Sequence, residues 1–143
     1  MKRTYLARKS KSEKAKIKDR IQALCRAIAI KRDKGCFLRH YADAGGCGPR
    51  RKDGEIVLQY DHLNSRIHSV SFGDTRLGVC ICARHHGYWK PQYPAKYETY
   101  VRDFIGEKRT ELLDKVRADN KPYKMDWKVL ELSLIDELKK MGE

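Results

Sequence analysis

The chain has 143 residues, 36% of them charged, and a formal net charge of +13. That length suits one domain with a modest core, and the charge favours a polyanionic partner such as nucleic acid. The longest apolar stretch, Ile21 to Ile30, is interrupted by Gln22 and Arg26 and is too short to span a membrane, so no membrane role is expected.

The N-terminus is basic but has no apolar h-region, so a secretory signal is not expected. The five cysteines, an odd number, argue against a disulfide framework and for metal binding or free thiols. A cytoplasmic protein is expected.

Residues 1–34 hold 13 Lys and Arg against three acids, most of the chain's excess charge. A helix is predicted from about Ser12, its N-cap, with Ile17, Ile21, Leu24 and Ile28 on one face and Gly35 as the stop. Lys14 and Lys18 lie off that stripe and suit contacts to backbone phosphates.

Cys36 and Cys47 follow, the latter among Gly45, Gly46 and Gly48, which permit the tight turns of a zinc knuckle. Their spacing is long for a knuckle, and His40 is an alternative ligand. Asp53-Gly54 signals a hairpin turn. Residues 55–61 alternate as a strand ending at Asp61-His62. Residues 64–74 are polar and loop-like. Residues 77–82, LGVCIC, form a second strand, and a helix begins near Ala83. Cys25 and Cys80 are expected to pack in the core.

Phosphodiester hydrolysis needs a base to activate water, a cation to stabilise developing charge, and a grip on the backbone. His62 suits the base. Asp61 suits a hard divalent ion, Mg²⁺ or Mn²⁺, with His86 as a second ligand. Being adjacent, Asp61 and His62 leave opposite faces of an ideal strand, so sharing a site requires the strand to end there. Cys82 and His85 stand at a Cys-x-x-His spacing, which with Cys36 and Cys47 makes a Cys₃His set for structural Zn²⁺. Lys90, Arg66, Arg76 and Arg84 surround the cluster and suit phosphates flanking the cut.

In that order, Cys36, Cys47-Gly48, Asp61-His62, Cys82, His85-His86 and Lys90 resemble the HNH (ββα-metal) endonucleases. The similarity is to the zinc-knuckle phage proteins related to the recombination nucleases NinG (Rap) and Ref, over roughly residues 36–92. The resemblance implies a metal-dependent DNA endonuclease acting on duplex or branched DNA in recombination or DNA processing, in the bacterial host cytoplasm. It implies Asp61 and His86 as ligands of the catalytic ion, His62 as general base, and Cys36, Cys47, Cys82 and His85 as zinc ligands. Leu77 stands where the family carries an Asn that braces the catalytic His. That departure implies a differently braced site or a zinc-stapled DNA-binding protein without catalysis.

Beyond the core, residues 94–106 and 107–118 are predicted helices separated by Gly106. A last helix is capped by Asp126 and carries Trp127, Leu130 and Leu134 inward. The expected organisation is α+β: a basic arm and helix (1–34), a zinc-knuckle HNH core (35–92) and a helical buttress (93–143).

Overall fold

The computed structural model describes residues 11–65, 68–119, 121 and 123–142. Most of the N-terminal basic segment, and Arg66, lie outside the described residues. Helix α1 (Glu13–Asp33) starts at Ser12, whose Oγ accepts the Ala15 N–H at 3.2 Å. That bond satisfies one of the donors a helix start leaves open. Its buried face is Ile21, Cys25, Ile28 and Ala29. The helix stops one residue earlier than Gly35. Lys34 itself takes the left-handed conformation (φ 60°) and its N–H reaches the Ile30 carbonyl at 2.9 Å.

Two 3₁₀ turns, Phe37–His40 and Ala42–Ala44, then wind the chain into a compact knuckle. The predicted turn at Asp53-Gly54 forms. Gly54 has φ 86° and the Arg51 N–H meets the Glu55 carbonyl at 2.7 Å. The strands are shorter than their apolar runs. β1 (Leu58–His62) pairs antiparallel with β2 (Gly78–Cys82), Tyr60 opposite Cys80 and His62 opposite Gly78.

This hairpin is the middle layer of an α+β fold. The knuckle and α4 (Pro94–Ala118) cover one side, where Phe37, Leu38, Val79, Ile81, Val101 and Leu113 pack. Helices α1 and α5 (Trp127–Met141) cover the other, around Ile21, Cys25, Tyr60, Cys80 and Leu134. Coverage on both sides explains why all of β2 is buried and why its sequence is uniformly apolar rather than alternating. Residues two apart share a face in a regular strand, yet Cys80 and Cys82 enter different cores. The strand ends at Cys82, which turns away into the knuckle side.

The segment between the strands differs from the polar loop its sequence suggests. It contains helix α2 (Ser69–Phe72) and buries Leu63, Asn64, Ser71 and Phe72. After β2 comes a π-helical turn, His85–Trp89, continuing into α3 (Lys90–Gln92). Helix α4 is interrupted at Gly106 (φ 83°, ψ 177°), the predicted break, and Asp126 caps α5 by accepting the Val129 N–H at 3.1 Å. Among the described residues no helix is long and apolar enough to cross a membrane.

A buried charge cluster locks α1 to the hairpin. Asp33 accepts the Cys80 N–H at 2.9 Å and the Arg32 Nε–H at 2.7 Å. Arg32 also donates to the carbonyls of Thr75 (2.6 Å) and Gly78 (2.8 Å), and Arg109 donates to the Gly78 carbonyl from α4 at 2.8 Å. Position 78 tolerates only glycine, because a Cβ there would sit 1.9 Å from the Tyr60 ring. Removing one member of a buried ion pair strands the other. Asp33→Ala is therefore expected to lose about 3 kcal/mol, read as the change in urea midpoint at constant slope.

Candidate functional site

The end of β2 and the π turn bring four ligand-type side chains together. The ligand atoms of Cys36, Cys47, Cys82 and His85 all lie within 4.8 Å of one another. His85 Nδ1 is 3.5, 3.7 and 3.0 Å from the three sulfurs in that order. A tetrahedral zinc with ordinary bond lengths would put sulfur and nitrogen about 3.5 Å apart. The His85 tautomer also fits: its Nε2 meets the Ala44 carbonyl at 2.9 Å, so Nε2 carries the proton and Nδ1 presents its lone pair to the sulfurs.

The sulfurs are not equivalent. Hydrogen bonding from the Cys36 thiol, then the backbone N–H groups of Gly48 and His85, outweighs burial and pulls the Cys82 thiol well below its usual range. Cys36, facing that sulfur and buried, is pushed up. A lowered thiol favours the thiolate that a metal ion takes as its ligand. The four could hold a structural metal ion such as zinc. His40 is not part of the group. Its ring stacks on Phe104 at 6.0 Å.

The residue after His85 points to a different place. Neighbours on a helix lie roughly a quarter-turn apart, and His86 faces β1. Its Nε2 is 3.4 Å from Asp61 Oδ1. Its Nδ1 is 2.6 Å from Gln59 Oε1. The Gln59 amide thus orients the His86 ring toward Asp61, and the ring's hydrogen bond stabilises that carboxylate.

The other oxygen of Asp61 is taken. Lys90 Nζ donates to Oδ2 at 2.7 Å and the Tyr97 hydroxyl donates to it as well. Burial would raise the Asp61 carboxyl, but His86, Lys90 and Tyr97 prevail and hold it down at about 2. It is therefore an anion across the physiological range.

His62 leaves the opposite face of β1. Its ring is edge-on to Tyr60 at 4.9 Å and stacked on Phe72 at 5.2 Å. Because β1 ends there, Asp61, His62 and His86 still line one cavity of about 360 Å³, with Gln22 and Tyr60. The backbone after His62 is fixed by the Leu63 N–H on the Leu77 carbonyl (2.9 Å), and the Asn64 side chain donates from Nδ2 to Ser71 Oγ (2.9 Å). Leu77 is buried, and its side chain lies in the core on the knuckle side.

The basic residues fall into different settings. Lys18 Nζ is 5.0 Å from the Phe72 ring that stacks on His62, and 5.0 Å from Trp127. Lys14 lies further out, 5.9 Å from Trp127. Arg84 donates to the Gly46 carbonyl and so braces the knuckle. Arg76 pairs with Asp74 at 2.7 Å. Gln59, Phe72 and Gln22 do not stand out in the sequence as site residues. Gln59 carries a signal, since it is two residues before Asp61 on a strand. Phe72 and Gln22 carry none.

Scans against protein-family models, curated proteins and solved structures found no match to this chain.

The tetrahedral set yields a direct test. Metal analysis of the purified protein should give about one zinc per chain. Cys82→Ser should lose it, whereas Cys80→Ser, outside the set, should retain it.

Proposed function

We propose that the protein is a metal-dependent endonuclease that hydrolyses DNA phosphodiester bonds, with a structural zinc in the Cys₃His set and Mg²⁺ or Mn²⁺ held by Asp61 and His86. The observation that carries this reading is the facing of Asp61 Oδ1 and His86 Nε2 at 3.4 Å, with Gln59 orienting the ring, in the cavity that also holds His62. Neighbouring ligands of an octahedral ion at about 2.1 Å stand about 3 Å apart, so the two donors fit one small hard cation. When bound, that ion supplies charge stabilisation at the scissile phosphate.

The chain supplies the rest. His62, at the cavity wall, takes the proton from the attacking water. Its ring is kept in plane by Phe72 and Tyr60. Asp61 stays ionised and oriented because Lys90 and Tyr97 hold its second oxygen. Lys18, beside Phe72, is placed to meet a phosphate on the His62 side.

We read β1, β2 and the helical segment 83–92 as the ββα unit that such sites use. On this reading the residue after His62 is held by the Leu63 N–H on the Leu77 carbonyl, where the family would place an Asn side chain. The basic charge supports a nucleic-acid substrate.

His62→Ala should slow Mg²⁺-dependent nicking of supercoiled plasmid by about 10²–10⁴-fold while zinc content and DNA affinity hold. Undiminished nicking would remove His62 as the base. Gln59→Leu frees the His86 ring to turn. It should raise the Mg²⁺ concentration needed for half-maximal nicking by about 10–100-fold, the usual effect of losing a partner behind a metal ligand.

A further inference from the structure

The members of the Cys₃His set are not equally sheltered. Cys36, Cys82 and His85 are buried, whereas Cys47 is half-buried. The sequence explains the difference, because Cys47 stands between Gly46 and Gly48, which bring no side chain to cover its sulfur. Arg84 pins the turn on both sides. Its guanidinium donates to the Gly46 carbonyl, and its backbone N–H donates to the Gly48 carbonyl at 2.9 Å.

Cys47 and Cys36 also line a cavity of about 590 Å³ between the end of α1 and the Arg50–Ile56 arm. Lys34, Arg39 and Arg50 stand around it, and among the described residues lining it Glu55 is the one acid. Arg39 is fixed there by donating to the Cys36 and Asp33 carbonyls, each at 2.8 Å. A cysteine reacts according to its access and to the positive charge around it, and this cavity gives Cys47 both. Cys25 and Cys80 are fully buried in the other core, between α1, α5 and the hairpin.

We propose that Cys47 is a modification site, the point at which a peroxide enters the Cys₃His set, and that Cys36 resolves the product to a disulfide. The Cys47 thiolate attacks the O–O bond and keeps one oxygen as a sulfenic acid, while the other leaves as hydroxide. The Cys36 sulfur, within 4.8 Å, then attacks the Cys47 sulfur. The S–S bond forms, and the sulfenic oxygen leaves as a second hydroxide, protonated by solvent. Two electrons pass from the two sulfurs to the peroxide. Only Cys82 and His85 then remain of the four ligands, too few to close a structural site, so the set gives up its metal. A thiol reductant restores it. The metal release rests on the zinc part of the reading above. The order of thiol reactivity rests on the cavity and the burial alone.

The zinc-loaded full chain is treated with substoichiometric N-ethylmaleimide, and its peptides are mapped by mass spectrometry. Cys47 should be labelled before the other four cysteines. Hydrogen peroxide should then release about one zinc per chain, read with a colorimetric chelator, in step with a Cys36–Cys47 disulfide, and a reductant should reverse both. Cys47→His keeps a ligand at the mouth of the cavity without an oxidisable sulfur. It should bind zinc and release it to peroxide at least about tenfold more slowly. Lys34→Gln combined with Arg50→Gln, both at exposed positions, leaves the set intact and should slow Cys47 labelling about threefold or more. The same change at Lys108 and Lys128, exposed and outside the cavity, should not.

Labelling of Cys36, Cys82 or a core cysteine ahead of Cys47 would overturn the proposal. So would a disulfide between another pair, or equal slowing by both double variants. A purified chain without zinc would remove the metal and its release, while the order of labelling would still decide Cys47. Plasmid nicking by wild type against His62→Ala reports on the endonuclease reading whichever way the thiol chemistry falls.

Discussion

Cys82 closes β2 and at the same time holds the sulfur around which the knuckle gathers, and every other functional position is set from there. The Cys36 thiol and the backbone N–H groups of Gly48 and His85 gather around that sulfur. That fixes the first residues of the π turn. With His85 turned to the sulfurs and anchored on the Ala44 carbonyl, His86 has only one direction left, toward Gln59 and Asp61. A two-stranded sheet is weak alone. Here it is held between two cores and clamped at Cys80 by Asp33, so the strand carrying Asp61 and the strand leading to His86 keep their register.

On the proposed reading the two clusters would divide the chemistry by hardness. Sulfur and imidazole, buried and preset, suit a borderline-soft ion that stays. A carboxylate and an imidazole at the wall of an open cavity suit a hard ion that exchanges with solvent. Adjacent residues of one helix serve both, so disturbing the buried cluster would disturb the open one. The reverse does not follow, because nothing in the Cys₃His set leans on Asp61.

Much of this was readable in the chain. The Ser12 and Asp126 caps, the Asp53-Gly54 turn and the break at Gly106 are local signals, and each appears where its residue type demands. The Cys₃His set was readable because ligand chemistry restricts residue type sharply, and three of its four members are cysteine. Other features depend on distant partners. Phe72 sits in a stretch that reads as polar loop, and only the packing of α1 and α5 against β1 makes a place for its ring. Gln22 reads as an interruption of an apolar stripe, yet it lines the cavity beside Asp61. The arginines could not be sorted from sequence. Arg84 braces the knuckle and Arg32 is buried against Asp33, although both look like surface charge.

Lys90 has one more consequence. By pairing with Asp61 it gives the site an internal counter-ion, so without a divalent cation the pair presents no net negative charge. An unscreened buried carboxylate would repel an approaching phosphate at close range, where Coulomb terms in a low dielectric are largest. With Lys90 in place, an anion approaching the cavity would meet an electrically neutral threshold. On the proposed reading, the order in which ion and polyanion arrive would then not be dictated by repulsion from Asp61.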